Sequence, residues 1–287
     1  MFQQDSNGRR EPWHKRIGDR FCEPLHLNLI SLLIGLFGNY PSKVAFDLVQ
    51  RRHYAYPVLR AAEMAVAHGV EALTVVEFGV ATGAGLLNLC HVAKLSSAAT
   101  GVRIDVVGFD TGRGLPRPQD YRDHPELFQE GDYPMDFEAL QKRLPGNGRL
   151  VLGPIGETAP KFIKNLNADA PVGFAAVDVD YYSSAKDALK LLTDANPEKY
   201  LPLTLLYLDD ITDEFQNQWC GELLAIAEFN NSHQWRKIER DRFLKSRRIC
   251  KNARWLDQIF LLHVLDHPCV QTKSPSRPRQ LYPALSA

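Results

Sequence analysis

The chain has 287 residues, 45% of them apolar and 24% charged, with 34 Lys and Arg against 34 Asp and Glu. That length and composition support a large buried core in one elaborated domain, and the zero formal charge removes any global electrostatic case for nucleic acid or an anionic membrane as partner. Five cysteines (Cys22, Cys90, Cys220, Cys250, Cys269) stand far apart without CxxC or Cys/His metal spacing, which reads as reduced thiols in a cytoplasmic protein.

Residues 1 to 24 are polar and basic, with Arg9, Arg10, Lys15 and Arg16, and read as a loose arm. The apolar run LHLNLISLLIGLFG, 25–38, is too short to span a bilayer and contains His26 and Asn28, so a buried helix or a homo-oligomer contact is expected. RHYAYPVLRAAEMAVAHG, 52–69, predicts a helix with Pro57 in its first turn and Gly69 at its C-terminal cap. From there strand-like and helix-like segments alternate, the pattern of a mostly parallel, doubly wound α/β sheet with helices on both faces. Strands are expected at 73–78, 103–109, 149–153, 173–178 and 203–208, and helices at 84–96, 135–144, 158–166, 183–194 and 216–230. RKIERDRFL and LDQIFLLHVL read as two further strands, an antiparallel hairpin at the sheet edge. The tail from Thr272, rich in Pro, Ser and Arg, reads as exposed coil. The division expected is an arm with a helical extension (1–53), the sheet domain (54–271) and the tail (272–287).

Three motifs carry chemistry. In VVEFGVATGAGLLNL a buried strand passes through Gly79, Gly83 and Gly85 into a helix, with Glu77 two residues before the first glycine. Such a turn lets a ligand approach the backbone and the helix N–H groups. The spacing is not Gly-x-Gly-x-x-Gly, which disfavours a dinucleotide, and the Lys-Ser/Thr end of a P-loop is absent. After the second strand, GFDTGRGLP places Asp110 where it can accept hydrogen bonds from ribose hydroxyls, or serve as a turn aspartate before Gly112 and Gly114. Finally, Asp178 and Asp180 close the run GFAAV, and Asp209 and Asp210 close LPLTLLYL. Four carboxylates at strand ends repel one another, so a cation, a proton or hydrogen-bond donors must compensate them. With oxygen ligands and no accompanying His or Cys, the cation expected is Mg²⁺.

The glycine segment resembles motif I of class I S-adenosylmethionine-dependent methyltransferases, Asp/Glu-x-Gly-x-x-x-Gly-x-Gly. GFDTGRGLP, LVLGPIGETAP, AVDVDYYSSAKDAL and LYLDD then follow in the order of macrocin-type O-methyltransferases, a likeness over 54–215 whose most specific part is the Asp-x-Asp-x-Tyr-x-Ser segment. Two departures stand out: Gly112 and Arg113 replace an aromatic-acidic pair, and LPLTLL replaces Pro-Gly-Gly. The first leaves substrate identity open.

The resemblance implies a Rossmann-like fold and a methyltransferase domain over 54–271. S-adenosylmethionine would be held by Glu77, Gly79, Val80, Ala81, Gly83, Asp110, Gly153 and Ile155. Asp178, Asp209 and Asp210 would ligate Mg²⁺; Asp178 and Asp180 would be catalytic, Asp180 as general base or as a partner of the ligands. The acceptor implied is a small hydroxylated molecule, such as a sugar of a secondary metabolite or glycan. Structural readings stand beside these: Asp180 as cap of the helix near Ser183, Asp210 as a turn residue. Tyr181 and Tyr182 border the substrate or pack; His53, Tyr54 and Tyr56 are lid candidates; His263 and His267 read as structural. An NAD(P)-dependent oxidoreductase and a non-catalytic cofactor-binding protein are the competing functions.

Overall fold

The structure, a computed structural model, describes residues 23–212 and 215–271. The expected arm up to Cys22 and the tail from Thr272 lie outside the described residues.

The first helices are α1 (Leu25–Phe37), α2 (Tyr40–Ala45) and α3 (Arg52–His68). Asn39 caps α2 by accepting from the Ser42 N–H at 2.9 Å, and Gly69, in the left-handed region, ends α3 as expected. Pro57 lies inside α3 rather than in its first turn, because the helix begins five residues earlier at Arg52. α1 is a helix but not a buried one: Leu25, Leu29, Leu32, Leu33, Leu36 and Phe37 are exposed. Its neighbours are well anchored. Val44 of α2 is in the core, and Asp47 pairs with Arg248 at 2.6 Å.

The rest follows the alternation predicted: β1 (Ala72–Phe78), α4 (Ala84–Thr100), β2 (Arg103–Asp110), α5 (Phe137–Arg143), β3 (Gly148–Leu152), α6 (Ile155–Asn165), β4 (Val172–Val177), α7 (Tyr182–Leu189), β5 (Tyr200–Leu208), α8 (Gly221–Ser232), β6 (Arg236–Arg240), α9 (Leu244–Arg247), β7 (Ile259–Val264) and α10 (Pro268–Gln271). Helix α6 opens three residues before the expected Thr158, and α8 five residues after the expected 216. The seven strands form one sheet in the order β3-β2-β1-β4-β5-β7-β6. β1 to β5 pair in parallel; β7 pairs antiparallel with both β5 and β6. This is a Rossmann-like doubly wound sheet with an antiparallel edge. The edge pair is not a tight hairpin: α9 lies between its strands, and the later strand sits inside the earlier one.

Alternation along the buried strands sends side chains to two cores. Leu73, Val75, Phe174, Ala176, Leu205 and Tyr207 pack with α3 and α4, while the opposite face packs with α6, α7 and α8. The crossover direction changes between β1 and β4, the switch point where sheets of this type bind ligands.

Candidate functional site

The strand ends are in register. Phe78 lies beside Phe109 and Val177, and Val177 beside Leu208, so the residues that follow emerge at one edge. Two poles meet there: a glycine loop after β1 and a carboxylate cluster after β4 and β5.

At the first pole Gly79 has φ +84°, and a Cβ there would overlap the Asp178 carbonyl oxygen, so the turn tolerates neither a side chain nor an ordinary backbone. A Cβ at Gly85 would overlap Glu77 Oε1, which is why α4 can begin directly over that carboxylate. Glu77 is buried; its Oε1 accepts from the Tyr54 hydroxyl at 2.6 Å and its Oε2 has no partner among the described residues. Burial pushes its pKa from 4.5 to about 7, against the opposing effects of the Tyr54 bond and the Arg51 charge. Asp110 binds the loop itself: Oδ2 accepts from the N–H groups of Val80 (2.8 Å) and Ala81 (2.9 Å), and Oδ1 from Gly112 (2.7 Å). Its turn role is therefore real. Gly83 donates to the Val80 carbonyl at 2.8 Å and leads into α4; Gly153 donates to the Asp110 carbonyl at 2.9 Å, and Ile155 opens α6.

At the second pole one oxygen each of Asp178, Asp209 and Asp210 lies within 4.8 Å of the others. Burial, then the charges of Asp209, Asp210 and Glu77, push the Asp178 carboxyl well above the usual range. The Tyr207 hydroxyl donates to Asp209 Oδ1, and the Asp209 carbonyl accepts from Gln258 Nε2 at 2.8 Å. Asp210 Oδ2 accepts from the Asp180 N–H at 3.1 Å. Asp180 is buried with φ +58°, a backbone strain uncommon outside glycine, and its carboxyl is also pushed well above the usual range, by burial and then by Asp178, Asp209 and Asp132. It does not cap α7. That part falls to Asp123, whose carboxylate accepts from the Ser183 N–H at 2.8 Å and its hydroxyl at 3.0 Å.

Three further side chains belong here. Glu222, in the first turn of α8, is buried; its Oε2 accepts from the Asp210 N–H at 3.2 Å, its Oε1 lacks a partner among the described residues, and burial followed by the three aspartates pushes its carboxyl well above the usual range. Tyr207 orients Asp209 and is stacked by His53, ring centroids 4.5 Å apart. Arg51 precedes α3 and feels the charges of Tyr54, Glu77, Asp178 and Tyr207, which raise its pKa on balance although burial opposes its charge. The sequence reading named none of the three; Tyr207 lies on the expected strand 203–208, whereas Arg51 and Glu222 arrive from distant segments with no local signal.

The lid candidates are not lids. Tyr54 is fully buried, His53 lies under Tyr207, and Tyr56 packs on Trp255 and Arg248. Burial, then Arg51 and Arg52, hold the His53 pKa well below its ordinary value. Tyr181 and Tyr182 are packing residues too: Tyr181 faces Phe128, and the Tyr182 hydroxyl donates to Glu228 at 2.7 Å. His263 lies 3.1 Å from Glu239 on the edge strands, and the His267 ring accepts from the Cys269 N–H at 3.1 Å, both structural as expected.

No family model and no curated protein matches the chain. Among solved structures it is similar to CalS11, the calicheamicin methyltransferase, at 22% identity over 63% of this chain and 72% of that one, with a TM-score of 0.46. The O-methyltransferase NovP is 18% identical with the same coverage and TM-score. TomG from Streptomyces achromogenes, involved in tomaymycin synthesis and in complex with SAM, is 11% identical over 71% and 79%, with a TM-score of 0.35.

Proposed function

We propose that the chain is an S-adenosylmethionine-dependent O-methyltransferase that uses Mg²⁺ and acts on a small hydroxylated acceptor, a sugar of a secondary metabolite or glycan. The observation that carries this reading is the meeting of the glycine loop with three clustered carboxylates at the β1/β4 switch point.

The residues fit both groups. The Glu77 Oε2, without a partner among the described residues, suits the ammonium of the cofactor's amino-acid end, and the missing side chains at Gly79 and Gly85 let the turn pack directly on the Asp178 carbonyl and on Glu77, which brings the glycine loop against the carboxylates. Asp178, Asp209 and Asp210 form an all-oxygen donor set of the kind a hard divalent cation takes. When bound, such an ion lowers the pKa of a hydroxyl and fixes its oxygen in place.

The chain's own residues do the rest. Tyr54 holds Glu77 and Tyr207 holds Asp209, while the Asp210 N–H bond to Glu222 ties the residues that follow β5 to α8. Asp180, whose burial and acidic neighbours make its carboxylate more basic than an ordinary one, takes the acceptor's proton. When bound, the methyl donor would supply an electrophilic methyl group for in-line transfer to that oxygen, with S-adenosylhomocysteine as the leaving group. The free thiols Cys90, Cys220, Cys250 and Cys269 support a reducing, cytoplasmic setting. No described helix is long and apolar enough to cross a membrane.

Calorimetry with S-adenosylmethionine, followed by radiolabelled methyl transfer to a panel of hydroxylated small molecules with and without EDTA, tests the reading. Binding and EDTA-sensitive transfer are expected. Absence of binding at millimolar cofactor refutes it, and cofactor binding with no transfer to any hydroxylated extract favours the non-catalytic binding protein.

A further inference from the structure

Arg51 occupies the left-handed region (φ 42°, ψ 63°) directly before α3, a strain of about 1 kcal/mol or more for a residue with a side chain. Its guanidinium lies 5.5 Å from the Tyr54 ring centroid, amid the charges of Glu77 and Asp178. Other arginines nearby are paired directly: Arg248 with Asp47 at 2.6 Å, and Arg52 with Asp47 at 3.9 Å. Among the described residues no carboxylate forms such an ion pair with Arg51. A guanidinium offers five donors in a fork shaped for a carboxylate. Glu77, whose charge Arg51 feels, holds one buried oxygen without a partner among the described residues.

An α-amino acid carries an ammonium and a carboxylate on one carbon, so recognition needs an anion and a cation side by side. Glu77 and Arg51 are such a pair at the switch point. We infer that Arg51 receives the carboxylate of the methyl donor's amino-acid end while Glu77 receives its ammonium; this rests on the methyl-donor reading above. Arg51 stands at the start of α3, and Tyr54 of the same helix holds its partner Glu77.

The test is calorimetry on the Mg²⁺-supplemented full chain with S-adenosylmethionine and with decarboxylated S-adenosylmethionine, which differ only in the carboxylate. The wild type is expected to prefer the former by roughly tenfold to a hundredfold, as for a charge-assisted hydrogen-bonded pair. Arg51→Met should abolish the preference, leaving both ligands near the wild-type affinity for the decarboxylated one, and Arg51→Lys should restore part of it. A preference that survives in Arg51→Met overturns the assignment, as does an equal loss for both ligands, which would mark Arg51 as a neutraliser of the site's field only. A wild type that binds neither ligand removes the methyl-donor reading and this assignment with it.

A second inference comes independently from α1. Thirteen residues give about 20 Å, too little for a bilayer core. The helix carries no Asp, Glu, Lys or Arg, so it lacks the basic face of a membrane-surface helix and offers no charge complement to a charged partner. Its exposed Leu and Phe side chains amount to on the order of 800 Å², about one partner's share of a standard interface and more than a monomer ordinarily leaves bare. We propose that a second copy of this chain covers α1 in an isologous contact. Light scattering after gel filtration should give twice the chain mass, and Leu32→Glu combined with Leu33→Glu should give the monomer with the core's unfolding transition intact. A wild-type monomer at tens of micromolar overturns the proposal, whether or not it cosediments with phosphatidylcholine–phosphatidylglycerol vesicles, as does a double variant that stays dimeric.

Discussion

Glu77 offers the sharpest quantitative test. Burial raises its pKa from 4.5 to about 7, and each pH unit between those values is about 1.4 kcal/mol, so ionising it in the folded chain costs about 3 kcal/mol more than in water. The folded value lies above the unfolded one. Its contribution to stability is therefore fully present below about pH 4.5 and is lost as pH rises through about 7. Glu77→Gln keeps an acceptor for the Tyr54 hydroxyl but cannot ionise. Without cofactor, the wild type should lose up to about 3 kcal/mol relative to this variant between pH 5 and 9, or roughly 5–10 °C in midpoint, because the other buried carboxylates are common to both proteins and largely cancel. Urea and thermal unfolding across that range measure the difference. A wild-type-minus-variant gap that stays flat from pH 5 to 9 would refute the claim that Glu77 is buried as an acid awaiting a cationic partner.

Gly79→Ala combines a left-handed backbone with overlap on the carbonyl of Asp178, which follows directly on β4 and is held by its N–H bond to the Phe78 carbonyl, so urea unfolding should show a loss of about 3 kcal/mol or more. A loss under about 0.5 kcal/mol would contradict the close approach. Mg²⁺ at a hundredfold excess over its dissociation constant should stabilise the chain by about 2.7 kcal/mol, and Asp209→Asn should remove that gain. Because the Asp178 pKa is raised, protons compete with the ion, and the Mg²⁺-induced thermal shift should grow as pH increases; a shift independent of both pH and Asp209 would exclude the cluster as the ion's site.

Much of this architecture is written in local patterns. Short apolar runs ending in glycine or aspartate mark β1, β2, β4 and β5, and parallel strands must expose those ends at one edge, so Glu77, Asp110 and the aspartate pairs are legible as neighbours in the sequence alone. The order β5-β7-β6 was not, since two strands predict a pairing but not which of them joins the parallel sheet. Glu222 escaped because it reaches the site only through the packing of α8 and the backbone of Asp210. Arg51 escaped because nothing in its neighbours announces a left-handed turn. The segment 25–38 misled in the other direction: its composition asks for burial, and the described chain supplies no cover.

A carboxylate has about four acceptor positions, two on each oxygen. At Asp110 the described residues already take three, two on Oδ2 by Val80 and Ala81 and one on Oδ1 by Gly112. A vicinal diol arriving at this strand end thus finds a single vacancy: one of its hydroxyls can be met by Asp110, and the other must look to a different residue or to water.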